Sequence, residues 1–157
     1  MLAQQGLATA ACITPANESA FEIEALKSEM MVLATGCHND AEYNAFIRRF
    51  QPDLQEAEHR IDAYFHHTYG SRGQQEHDAY ITSLANAESD VGLTMGTDFC
   101  SRNASLFQEA MALPTTSDLP AYAAGKNIVP ASLGTCSAPP TPALRHAVGR
   151  HYASKKR

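Results

Sequence analysis

The distribution of proline divides the chain into a part that can be helical and a part that resists it. Six of the eight prolines in 157 residues (Pro114, Pro120, Pro130, Pro139, Pro140 and Pro142) fall within 29 positions, so that only Pro15 and Pro52 interrupt the first 113. Proline lacks a backbone donor and clashes with the preceding helical turn, so the dense stretch is a poor helix. From Pro114 onward the expectation is an extended segment, free or laid along another surface.

Upstream of that boundary the apolar residues recur with helical spacing. Phe21, Leu26, Met30, Leu33 and Cys37 fall at steps of three to five, one face of a helix. Asn17 or Ser19 is placed to cap it, Glu18, Glu22 and Glu24 suit the positive end of its dipole, and Gly36 is placed to close it. A second stretch starts near Asp40 and presents Tyr43, Phe46, Ile47 and Phe50. Pro52 either kinks this helix or sits in the first turn of the next. Leu54, Ala57, Ile61, Tyr64, Phe65 and Tyr69 continue the stripe to the turn Gly70-Ser71-Arg72-Gly73. His77, Tyr80, Ile81, Leu84 and Ala85 mark a further helix, and Gly92 and Gly96 break the pattern. Thr97 or Asp98 caps a last helix running through Phe99, Leu106 and Phe107 to Leu113. With four valines and no alternating apolar run, strand signals are nearly absent.

These patterns predict an all-α fold, an antiparallel bundle of four or five helices with an extended Pro-rich C-terminal arm. The expected organisation is an N-terminal extension over 1–17, the bundle over 18–113 and the arm over 114–157, with a short basic helix in reach over 143–157. At 17.0 kDa the chain is one domain's worth. Leu, Ile, Val and Phe number only 28, with 26 alanines beside them. So thin a core suits closely packed helices and gains from covalent staples. No run approaches the roughly 18 apolar residues of a membrane span, and a soluble protein is expected.

Four cysteines stand at 12, 37, 100 and 136, none in a C-x-x-C pair. Zinc-ribbon, thioredoxin and c-type haem signatures are therefore absent. Four widely spaced cysteines around a thin core fit two disulfides in an oxidising compartment, periplasmic or extracellular. Three pairings are possible. Because Cys37 and Cys100 lie inside the helical body and Cys12 and Cys136 in the flanks, the expected bridges are Cys37–Cys100 and Cys12–Cys136. The opening segment contains Ala8-Thr9-Ala10, which resembles the end of an export signal, but it has no basic region and a short apolar stretch. A signal already removed, or a start internal to a longer precursor, is the expectation.

The net charge of −5 conceals two halves of opposite sign. Residues 1–113 carry 16 acids and 6 bases, a net of −10, while residues 114–157 carry 1 acid and 6 bases, a net of +5. Nucleic-acid binding by the body is excluded by its sign. The arm either covers the acidic body or reaches a partner.

Candidate chemistry is sparse. Glu56, His59, Asp62 and His66 fall at i, i+3, i+6 and i+10, roughly on one helix face. Glu56-Ala57-Glu58-His59 is a single E-x-x-H, where a di-iron bundle requires two. His59, Asp62 and His66 are candidate ligands of one metal ion, set against a solvated helix face. His77 between Glu76 and Asp78 is a candidate general base, or a residue of an acidic first turn. Cys37-His38 reads as a helix-end staple rather than a thiol–imidazole pair. No G-x-S-x-G, H-E-x-x-H or phosphate loop occurs. Tyr43, Phe46, Phe50, Tyr64, Phe65, Tyr69 and Tyr80 are interleaved with Arg48, Arg49, Arg60 and Arg72. They form either the bundle core and its rim or a Tyr/Arg-rich binding surface.

The series Leu26-Lys27-Ser28-Glu29-Met30-Met31-Val32, Cys37, Tyr43-Asn44-Ala45-Phe46, Arg49-Phe50, Tyr64-Phe65, Tyr69-Gly70, Gly73, Tyr80, Leu84-Ala85-Asn86 and Phe99-Cys100 resembles small secreted helical proteins of Gram-negative bacteria of unassigned function. The likeness covers roughly residues 22–110 and carries no catalytic motif. In size and organisation the chain is also similar to the small, cofactor-free subunit of periplasmic membrane-bound quinohaemoprotein alcohol dehydrogenases. That resemblance implies an accessory role beside subunits that hold the cofactors.

The expected function is that of a non-catalytic, exported interaction protein without cofactors. It would be an accessory or structural subunit of a larger periplasmic assembly, contacting a larger protein partner through the arm and the Tyr/Arg-rich helical surface. No nucleic acid and no membrane span are expected. The alternative is a small helical ligand- or metal-binding protein.

Overall fold

The computed structural model of the chain describes residues 13–128. They are all-helical, with no strand among them. Helices α1 (Pro15–Cys37), α2 (Asp40–Tyr69) and α3 (Gly73–Met95) are long; α4 (Asp98–Asn103), α5 (Leu106–Met111) and α6 (Leu119–Lys126) are short. Cys12, Cys136 and the chain from Val129 onward, with its basic terminus, lie outside the described residues, so the expected Cys12–Cys136 bridge and most of the arm do too. Among the described residues no helix is long and apolar enough to cross a membrane.

Helix α1 starts earlier and ends later than expected. Pro15 occupies its first turn, where a missing donor costs nothing, and Thr14 precedes it in extended backbone. The helix runs through Gly36 and stops at Cys37; His38 takes the left-handed conformation at φ 59° and donates its N–H to the Ala34 carbonyl. Helix α2 reverses the chain after Asn39 and passes through Pro52 without interruption. Gly70 ends it at φ 59°, as its place in the turn implied. Gly92, expected to break α3, lies inside it, and Gly96 closes it at φ 55°. The expected last helix is two, α4 and α5, separated at Ala104 and Ser105.

The core consists of the predicted stripes. Phe21, Leu26, Met30 and Leu33 of α1 are buried against Phe46, Phe50, Ile61, Tyr64 and Phe65 of α2 and Tyr80 and Leu84 of α3. Phe21 makes edge-on ring contacts with Tyr64 at 5.1 Å and with Tyr80 at 5.3 Å, the geometry that aromatic quadrupoles prefer. Phe46, Phe50, Tyr64, Phe65 and Tyr80 are therefore interior, the core reading of this series, while Tyr43 and Tyr69 are half-buried at its rim. Three of the four arginines are engaged, and Arg48 is exposed. Arg49 donates to the carbonyls of Met111 and Leu113, Arg60 to Glu56, and Arg72 to Glu76.

The packed region also continues past Leu113. Residues Thr116–Asp118 form a 3-10 turn and Leu119–Lys126 a helix, where an extended arm was expected. Leu119 and Ala123 are fully buried against the rest of the core. Pro120 is tolerated because it sits in the first turn of α6. At the other end, Ile13 is buried too, so the packed body begins before residue 18.

Candidate interaction surface

Helices α1 and α3 run side by side in the same direction. Phe21 near the start of α1 meets Tyr80 of α3, and Gly36 and Gly92 near their ends meet the same Phe99 ring. Between the two helices lies a predominantly apolar groove of about 580 Å³, walled by Met31, Val32, Ala85, Ser89 and Leu93 and closed by Phe99 and Cys100. Small residues leave the groove open. A β-carbon at Gly92 would meet the Phe99 ring at 3.6 Å and one at Gly36 would meet it at 3.9 Å, so Phe99 seats itself on two bare stretches of backbone.

The end of the groove is fixed covalently. Cys37 at the last turn of α1 and Cys100 in α4 are joined, their Cα atoms 5.6 Å apart. This is one of the two expected bridges. It ties the segment carrying Phe99 to the end of α1 across 63 residues of sequence.

Two large apolar side chains of this groove stand in water, Met31 at 39% exposure and Leu93 at 80%. Scattered singly, such residues need no explanation. Two on one groove form an exposed apolar pair. Their sequence neighbours are acidic. Asp90 and Asp98 are exposed, and Glu88 is half-buried with its carboxyl pushed up by burial.

The residues singled out for chemistry are arranged differently from the sequence reading. His59 is exposed on α2. Asp62 and His66, one turn apart, approach within 3.5 Å, and His77 of α3 brings Nδ1 within 3.5 Å of the same Asp62 oxygen. The structure thus unites Asp62, His66 and His77 and leaves His59 aside. Among the described residues no group of three or more His, Cys, Asp or Glu side chains is arranged to hold a metal ion. His77 is buried and stacked on Phe65 at 5.3 Å. Its sequence neighbours turn away, Glu76 to Arg72 and Asp78 to Gln74. The carboxylate beside it is Asp62, not Glu76 or Asp78.

The groove itself was missed by sequence reasoning. Its signal lies in Gly92-Leu93, a glycine followed by a large apolar residue, where the sequence pattern breaks. No family model matches the chain, and no curated protein or solved structure matches it either.

Proposed function

We propose that this chain is a non-catalytic, exported interaction protein that docks a larger protein through the α1/α3 groove, with the Pro-rich segment beyond the packed body as a second point of attachment. The observation that carries this reading is Leu93, 80% exposed at the rim of an apolar groove whose other rim holds Met31. A few well-packed apolar anchors supply most of the affinity of a protein interface. The exposed Asp90 and Asp98, close in sequence to Gly92, Leu93 and Phe99, favour a partner element that combines apolar side chains with lysine or arginine.

The exported setting rests on the Cys37–Cys100 bridge, because disulfides persist in oxidising compartments. The accessory-subunit reading, in a periplasmic assembly such as a membrane-bound dehydrogenase complex, rests on the size and organisation of the chain. The net +5 of residues 114–157 supports a second, electrostatic contact with an acidic surface.

A photocrosslinking residue at position 93 of the full chain, in its native source, tests the proposal. One dominant crosslinked protein is expected, lost when Met31→Asp is introduced. Because Met31 is partly exposed, thermal melting of the uncrosslinked variant reports whether the fold survives. Crosslinking that is absent, or that is unchanged by Met31→Asp in a folded chain, overturns it.

A further inference from the structure

The last described helix, α6, ends near the α1/α3 groove. Lys126 is bonded to Glu109 of α5, and its charge also reaches Glu29 of α1. Glu29 in turn feels the Glu88 carboxylate of α3, next in sequence to Ser89 of the groove wall. The chain therefore leaves the packed body on the side where α1 and α3 meet. Sixteen residues separate Ile128 from Leu144, a reach of up to about 50 Å when extended. The longest element of the body, the 30-residue α2, spans about 45 Å. The groove is within that reach.

Charge singles out one part of the remaining sequence. All five cations after Lys126 (Arg145, Arg150, Lys155, Lys156 and Arg157) fall within residues 143–157, which hold no acid. Residues 13–128 carry 17 acids and 7 bases, a net of −10. Beside the groove, Asp90 is exposed three residues before Leu93. Asp98, also exposed and 4.0 Å from Arg102, immediately precedes Phe99. Residues 1–12 and 129–142 contain no lysine or arginine, so neither segment complements this charge. The basic segment also holds Leu144, Val148 and Tyr152 at i, i+4 and i+8, the spacing of one helix face.

We propose that residues 143–157 cover the α1/α3 groove of their own chain, with Leu144, Val148 and Tyr152 on its apolar wall and the arginines and lysines toward Asp90 and Asp98. Anchors at helical spacing laid into an apolar groove are a recurring mode of peptide recognition. The inference rests on the docking reading of this groove and adds its regulation. The segment has the chemistry of the partner that the groove selects, so the two compete. Partner binding displaces the segment and frees its five cations for an acidic surface on the partner. A connection this short gives the segment an effective concentration of about 1 mM at the groove. With a Kd of about 0.1 mM it covers the groove about nine-tenths of the time and weakens any competitor about tenfold.

Calorimetric titration with a synthetic peptide of residues 143–157 tests the assignment. The peptide is added to the full chain and to the full chain carrying Leu144→Asp and Val148→Asp, two changes outside the packed body. The double variant should bind it saturably with a Kd of about 0.1 mM, and the parent about tenfold more weakly. Introduced into the double variant, Leu93→Asp and Asp90→Lys, both at exposed positions, should each weaken the peptide about tenfold, with thermal melting reporting the fold. No saturable binding to the double variant up to about 1 mM overturns the cover. Equal affinity of parent and double variant, or binding unchanged by both groove substitutions, also overturns it. A parent affinity that rises on dilution would place the segment on a second copy and overturn a cover within one chain. Docking of a larger partner is decided separately, by crosslinking at position 93, whatever the peptide does.

Discussion

Gly73, the first residue of α3, lies so close to His66 of α2 that a β-carbon there would stand 2.7 Å from the His66 Cα. Its backbone is ordinary helix at φ −51°, so the demand for glycine is steric and comes from the crossing of the two helices. That crossing also delivers His77, one turn further on, to Asp62. Gly73→Ala would raise helix propensity by roughly 1 kcal/mol in isolation, yet here it forces backbone against backbone. A net loss of about 1–3 kcal/mol is expected, the usual cost of overpacking. Urea denaturation measures it, and an unchanged or higher midpoint would show that the helices separate freely at this point.

Removing the Cys37–Cys100 bridge should weaken the fold more than any single surface change. Closing a loop of 63 residues restrains the unfolded chain by about 4 kcal/mol in the chain-entropy model. The double variant C37S/C100S should lose stability of that order in denaturant. A non-reducing peptide map of the parent should contain a peptide pair joined through these two positions. Free thiols at both would remove the argument for an oxidising compartment.

The helix faces were legible because their spacing is local: Phe46, Phe50, Leu54, Ala57, Ile61 and Phe65 could be placed on one side of α2 from sequence alone, and all are buried. The glycines were not, since their roles are set by distant partners. Gly36 and Gly92 look like helix breakers, yet both lie inside helices beneath Phe99. The boundary at Pro114 followed proline density and overlooked a local signal. Thr115-Thr116-Ser117-Asp118 is a capping box, with Asp118 accepting from both the backbone and side chain of Thr115. Leu119 and Ala123, four apart, then make a one-sided helix. Of the candidate residues, Asp62 and His66 were paired by helical spacing, whereas His77 reaches them only through the tertiary crossing.

Arg49 is the point at which α2 holds the end of α5. Its guanidinium donates to the carbonyls of Met111 and Leu113, two acceptors left open where the helix stops. It also lies 5.1 Å from the Phe50 ring centroid. Hydrogen bonds from a charged donor contribute about 1.5–3 kcal/mol. Arg49→Met, which keeps the apolar stem, should cost about that much. Arg49→Lys should recover only part of it, because an ammonium cannot fork across two carbonyls. Amide exchange in residues 106–113 reports the effect directly; equal protection in parent and Arg49→Met would show that the clamp is dispensable.

Glu29 should make the fold sensitive to pH. It lies on α1, half-buried, with Oε2 lacking a partner; burial and then the Glu88 carboxylate push its pKa up to about 7, against the opposing charge of Lys126. In the unfolded chain the same carboxyl titrates near 4.5. Between those values the folded state binds more protons than the unfolded, so stability falls as pH rises through that window and stays lower above it. Glu29→Gln removes the contribution: it should match the parent below pH 4.5, gain on it steadily up to about pH 7 and keep a constant lead beyond. The side chain is only half-buried, so screening reduces the plateau to about 1–2 kcal/mol. Denaturant midpoints of both proteins from pH 4 to 8 decide the matter. Parallel profiles would mean that Glu29 titrates alike in the folded and unfolded chain.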